Sequence, residues 1–232
     1  MSVQVKICGL SRPEDIRAVN DLKPDYAGFV FYKKSKRNIR FMTAHKLLGL
    51  LDPQIKSVAV CVSPTMEFIR ELSGFGFDRI QIHGEISPEI LDQIQTPVWQ
   101  AVNLKNIPHS GGTSPAVRHA AELGALQPGG IVDLICRHSN ICGYVIDGAD
   151  YGGGKTFGWE EDGALGNSAA DSIRDALDGQ KFILAGGLNA ENVQTGIRLF
   201  RPDVVDVSSG VESGNHKDRT LMEKFISKAR ER

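Results

Sequence analysis

The chain has almost no net charge: its formal balance is −1 at pH 7. That offers no basic surface to a nucleic-acid backbone and requires any anionic ligand to be held by groups gathered locally. Long apolar runs are missing too. No stretch approaches the ~20 consecutive apolar residues of a membrane span, and the first residues enter a strand pattern with no apolar signal-peptide core. Four cysteines, Cys8, Cys61, Cys136 and Cys142, include no C-x-x-C pair and are too sparse for a disulfide scaffold. A reducing compartment follows. The expected location is cytoplasmic, with no nucleic-acid and no membrane partner. An early G-x-G-x-x-G is also missing, which removes the main signature of an open dinucleotide-binding sheet.

What is present is an ordinary globular composition. Hydrophobic residues make up 41% and charged residues 24% of 232, enough apolar material for a large core, and the length suits one α/β barrel. Short apolar runs alternate with amphipathic stretches. Strands are expected at 5–8, 25–31, 57–62, 78–83, 97–102, 143–147, 181–189 and 202–210, the last two running into loops. Helix-start signals lie between them: Pro13 after Ser11, Thr43 as a cap, Ser63-Pro64, and Ser87-Pro88-Glu89. Further helices are expected over 116–126, around Ser172 to Leu177, near Asn192 to Leu199, and at the charged end carrying Leu221, Phe225 and Ile226. Eight strands and roughly eight helices in alternation predict a single (β/α)8 TIM barrel over residues 1–232. It is interrupted by a longer irregular connection at about 103–142.

Alternation along strands then sorts the polar residues. Val5 and Ile7 share one face of the first strand, Lys6 and Cys8 the other. A lysine and a thiol facing inward at the carboxyl end of a strand suit a reaction site better than a core. His83 shares a face with Gln81, and Asp206 and Ser208 oppose the apolar pair Val205 and Val207. Asp147 closes the sixth strand on the face of Val145. Arg37 ends a basic run, and its guanidinium is shaped to clamp a carboxylate. In barrels of this kind a phosphate commonly rests on the loops after strands seven and eight. Here those loops are Gly186-Gly187 and Ser208-Ser209-Gly210, each expected to precede a helix whose first N–H groups favour an anion.

The segments KICGL, GFVFYKKSKR, VAVCV, IQIHGE, YVID, GGGKTFGW, LAGGLNAENV and DVSSGVE, in this order, resemble the phosphoribosylanthranilate isomerases of tryptophan biosynthesis. The resemblance spans Val5 to Glu212. It implies a phosphate-binding barrel that uses no metal and no organic cofactor and acts on a small phosphorylated substrate. The implied reaction is the Amadori rearrangement of N-(5-phosphoribosyl)anthranilate to 1-(2-carboxyphenylamino)-1-deoxyribulose 5-phosphate. By the same resemblance Cys8 is the general base, Asp147 the general acid, Arg37 the group that holds the anthranilate carboxylate, and the two loops the phosphate site. His83 and Asp206 complete the expected substrate-binding set.

Such chemistry needs a proton delivered to the ring oxygen and another removed from the carbon beside the resulting Schiff base. A thiol with an ordinary pKa of about 8.5 has to be favoured as its anion, and the carboxyl group has to be kept protonated by burial. Two features depart from the family pattern. Tyr151 and Gly153 stand where glycine and a hydroxyl residue are usual, and Gly158 stands where aspartate is frequent. Two other readings remain open on the sequence: a metal-dependent phosphosugar epimerase or related isomerase barrel, and a catalytically silent barrel that binds a phosphorylated metabolite. A monomer and a homodimer are equally compatible with it.

Overall fold

Strands buried on both faces and joined by helical crossovers can satisfy all their backbone groups by closing on themselves. The structure is a computed structural model that describes residues 2–103, 135–147, 171 and 173–231. In it eight strands form a closed barrel in chain order. They are β1 (Gln4–Cys8), β2 (Tyr26–Phe31), β3 (Lys56–Val62), β4 (Arg79–His83), β5 (Val98–Asn103), β6 (Ile141–Asp147), β7 (Lys181–Ala185) and β8 (Val204–Val207). All neighbours are parallel, and β8 pairs back onto β1. The TIM-barrel reading is therefore correct.

Helix starts follow local chemistry. In the first helix (Pro13–Leu22) Pro13 occupies an opening position, where its missing N–H costs nothing. Asp15 accepts hydrogen bonds from the backbone N–H groups of Ser11 and Arg12 at 2.9 and 3.0 Å. Thr65, Ser87 and Asp218 cap the helices Met66–Ser73, Pro88–Gln93 and Arg219–Arg230 through their side-chain oxygens. Thr43 is not a cap. That helix runs Phe41–Leu48 with Arg40 at its N-cap, so Thr43 lies in its first turn.

The loop after β8 also differs from expectation. It passes through a three-residue 3-10 turn (Ser209–Val211) and a hairpin (Glu212–Ser213 with His216–Lys217) before the last helix begins. The loop after β7 likewise continues for several residues before the helix Val193–Phe200. Neither loop opens directly into an α-helix. The helix expected over 116–126, most of the irregular connection, and the Tyr151–Gly154 loop with Gly158 lie outside the described residues.

Parity produces two packed layers. Val5, Ile7, Ile80, Ile82, Val205 and Val207 face the helices in the outer core. Cys8, Tyr26, Val60, Trp99, Val145 and Ile183 point into the barrel. Near its amino-terminal end Tyr26 meets Trp99 edge-on, with ring centroids 4.9 Å apart, and Trp99 is wholly buried. Trp99→Ala is expected to lower stability by about 3–5 kcal/mol through the cavity it leaves, to be read from urea unfolding midpoints at unchanged slope. A loss within the error of the measurement would show that this plug does not support the barrel.

Candidate active site

Register decides which inward residues become neighbours. Lys6 pairs with Asp206 across β1 and β8, and Cys8 pairs with Gly28 across β1 and β2. A Cβ at position 28 would stand 2.9 Å from the Cys8 sulfur, so the glycine gives the thiol its space. At the carboxyl end of the strands a cavity of about 150 Å³ opens. Its lining includes Cys8, Arg37, His83, Asp147, Gly186, Gly187, Asp206, Ser208 and Ser209.

Gly210 does not line the cavity. A Cβ there would lie 2.0 Å from the Leu188 carbonyl oxygen. Its role is to let the loop after β8 lie directly on the loop after β7. Gly186 and Gly187 both adopt positive φ, 90° and 70°, a turn that side chains resist.

A buried relay crosses the cavity floor. The Lys6 ammonium is fully buried and donates to Asp206 Oδ2 at 2.7 Å and to Gln81 Oε1 at 2.9 Å. Because Lys6 can only donate, Gln81 presents its oxygen to it and its amide N–H to His83 Nε2, 2.8 Å away. His83 Nε2 is then the acceptor and Nδ1 carries the proton. Burial, helped by the Lys6 charge, lowers the His83 pKa to about 3, so the imidazole is neutral.

Cys8 departs from what base catalysis was expected to require. Burial raises its pKa and Asp206 adds to the rise, while Lys6 and Lys217 pull it down. Burial wins. The folded site therefore favours the thiol, and the expectation that it favours the anion is corrected on this point. Cys61, equally buried but without cations, is pushed up to about 12, which shows what the neighbouring lysines spare Cys8.

At the rim, Arg37 is already engaged. Its Nε and Nη2 groups hold both oxygens of Glu212, at 2.5 and 2.9 Å. A guanidinium has five N–H groups, and among the described residues Glu212 takes only this edge of it. Glu212 also takes Lys217 at 2.7 Å and Lys36 at 3.5 Å. Burial opposes its charge, yet the Arg37 hydrogen bonds and Lys217 outweigh it and lower its pKa to about 2. The pair is asymmetric, for Lys217 is more deeply buried, faces Arg37 as well, and sits below its usual value. Lys217 further donates to the Ser208 carbonyl at 2.9 Å, and Ser208 Oγ donates to the Cys8 carbonyl at 3.0 Å. The Ser208 hydroxyl proton is thus spent on the protein, leaving its oxygen as an acceptor.

Gln81, Lys217 and Glu212 escaped the sequence reading. Gln81 carried a signal, its shared parity with His83. The other two sit on a short hairpin without periodicity. Among the described residues no three His, Cys, Asp or Glu side chains are grouped as a metal ion requires. Among them also, no helix is long and apolar enough to cross a membrane.

A thiol and a carboxyl group sharing one cavity at the carboxyl end of a (β/α)8 barrel define the class, a barrel enzyme equipped for proton transfer. The family profile of N-(5'-phosphoribosyl)anthranilate (PRA) isomerase matches residues 5–228. The chain belongs to that family. The N-(5'-phosphoribosyl)anthranilate isomerase of Clostridium kluyveri is 37% identical over 98% of both chains. The crystal structure of phosphoribosyl anthranilate isomerase from Thermotoga maritima superposes with a TM-score of 0.72 at 29% identity, covering 98% of each chain. A crystal structure of the isomerase in complex with reduced 1-(O-carboxyphenylamino)-1-deoxyribulose 5-phosphate gives 0.69 at 30% identity, again over 98% of each.

Two titrations test the electrostatics. Ultraviolet difference absorbance between the protein and its Cys8→Ser variant should show no thiolate at neutral pH and should grow only above the ordinary thiol value of 9.0. A thiolate signal at neutral pH would mean that the lysines outweigh burial. Glu212, with its pKa lowered from 4.5 to about 2, contributes stability that is complete above the higher value and lost as pH falls through the lower one. Urea midpoints should decline across that window, and less steeply in Glu212→Gln. Equal slopes for the two proteins would refute the assignment.

Proposed function

We propose that Cys8 and Asp147 carry the two proton transfers of this isomerase, with Arg37 and the rim loops holding the anionic ends of the substrate. The chain catalyses the Amadori rearrangement of N-(5'-phosphoribosyl)anthranilate to 1-(2-carboxyphenylamino)-1-deoxyribulose 5-phosphate in tryptophan biosynthesis. The observation that supports these roles best is the single cavity lined by Cys8, Asp147, Arg37 and both rim loops.

Asp147 is buried at the end of β6. In this reading it donates a proton to the furanose oxygen, and the ring opens to a protonated Schiff base. Cys8, across the mouth, then takes the proton from the adjacent sugar carbon. A raised thiol pKa makes the anion scarcer but more basic, and each pH unit between pKa and medium is a tenfold factor in its population. The anthranilate carboxylate meets the open edge of Arg37, which Glu212 holds in place from the other side. The phosphate lies on Gly186, Gly187 and Ser209. Asp206 and His83 face the sugar between them, His83 as a neutral hydrogen-bonding group. A cytoplasmic location, one barrel domain over the whole chain, and a small phosphorylated molecule as partner belong to the same proposal.

The test follows the loss of anthranilate-type fluorescence with substrate generated in situ. Cys8→Ala and Asp147→Asn should each reduce kcat by roughly 10²–10⁴-fold with the circular dichroism unchanged. Arg37→Ala should raise KM by roughly tenfold or more, the worth of one charge-assisted hydrogen bond. Near-normal kcat in either of the first two variants, or unchanged KM in the third, would remove the role given to that residue.

A further inference from the structure

Among the described residues, Asp206 is tied down by one of its two oxygens. Oδ2 receives the Lys6 ammonium at 2.7 Å, whereas Oδ1 is buried and has no hydrogen-bond partner among the described residues. A buried carboxylate oxygen left without a donor is costly and calls for an explanation. The residue is 8% exposed and lines the cavity together with Cys8. Its charge is close enough to the thiol to act on it directly. Lys6 fixes which oxygen is left over, since it is itself fully buried and anchored on its other side by Gln81 at 2.9 Å.

The reaction supplies a donor at this place. Once Cys8 has taken the proton from the second sugar carbon, the enolamine keeps a hydroxyl on that same carbon. This hydroxyl must lose its proton for the ketone to form. It lies one bond from the atom that Cys8 attacks, so its acceptor has to stand beside the sulfur. We infer that Asp206 Oδ1 binds the hydroxyl of the second sugar carbon and takes its proton as the enolamine becomes the ketone, with Lys6 as the residue that positions it. The inference rests on the acid–base roles proposed above for Cys8 and Asp147.

The electrons balance within the substrate. In the first half the C–H proton passes to sulfur, its electron pair forms the carbon–carbon double bond, and the former C=N pair moves to nitrogen. In the second half the O–H proton passes to Asp206 and the O–H pair forms the carbonyl. The double-bond pair then takes up the proton held on Cys8 at the first sugar carbon. As product leaves, Asp206 gives its proton to water and Asp147 takes one back from water, which restores both groups. The first carbon is reduced, the second is oxidised, and no outside oxidant is needed.

The experiment runs wild type and Asp206→Asn in deuterated water on N-(5'-phosphoribosyl)anthranilate, quenches before completion, and measures deuterium at the second sugar carbon of recovered substrate. Asp206→Asn should lower kcat by roughly 10²-fold or more. Its recovered substrate should carry solvent deuterium, because an enolamine that ketonises slowly gives the Cys8 thiol time to exchange its proton with deuterated water before returning it to the second carbon. Wild type should return substrate with little label. Label in the variant also shows that Cys8 still works and that the site is folded. Asp206→Asn leaves Lys6 unpaired, so the double variant Lys6→Met/Asp206→Asn repeats the measurement with the charged pair removed together. Near-normal kcat, or slow turnover with unlabelled substrate in both variants, would overturn the inference. Failure of wild type itself to turn over would instead overturn the activity on which it rests.

Discussion

An ammonium with no solvent exposure at the centre of a barrel is the constraint around which the site is arranged. Taking the Lys6 charge out of water costs several kcal/mol, and its attraction to Asp206 at 2.7 Å offsets that only because Gln81 satisfies a second donor. An apolar residue in each place would serve the barrel at least as well, since buried ion pairs seldom stabilise more than the hydrophobic groups that could replace them. The arrangement makes sense through its neighbours. One charge holds Asp206 on β8 and Gln81 on β4, moderates the thiol two residues away on its own strand, and helps to keep His83 neutral.

The rim repeats the same physics nearer to water. Arg37, Lys217 and Lys36 converge on one carboxylate, Glu212, so the cluster carries net positive charge in a protein whose overall balance is −1. A local excess of this kind can hold an anion without a basic surface. Glu212 does more than neutralise part of it. By taking Arg37 side-on through two hydrogen bonds it fixes the plane of the guanidinium. Lys217 then passes the constraint to Ser208, and Ser208 to the backbone of Cys8. The rim and the floor meet at the thiol.

Parity made much of this legible in the sequence. Two-residue alternation placed Lys6 and Cys8 on one face of β1, Gln81 beside His83, and Asp206 opposite Val205, because a strand leaves a side chain only two directions to take. Partners across the fold were not legible. Arg37 and Glu212 are 175 residues apart, and Lys217 reaches Ser208 from a two-stranded hairpin that no hydrophobic period announces. The protonation state of Cys8 was misjudged for a related reason. The adjacent lysine could be read from the chain, but the burial that outweighs it is a property of the closed barrel. Gly210 was taken as part of an anion loop because glycines there often are. Only the Leu188 carbonyl, which would stand 2.0 Å from a Cβ at this position, reveals that it joins two loops.

That misjudgement bears on how a weakly ionised base can serve. A thiol made acidic enough to be anionic at rest would be a poorer base toward carbon. A thiol in an apolar pocket without cations would resemble Cys61 and hardly ionise at all. Cys8 stands between the two, with burial raising its basicity and two buried lysines limiting the rise. The neutral His83 contributes by its lack of charge. A second cation on the relay would repel Lys6 and weaken its hold on Asp206, and the depressed imidazole pKa removes that competitor throughout the neutral range. The polar floor and rim thus place buried positive charge near the sulfur, where it favours the anion that has to take the proton.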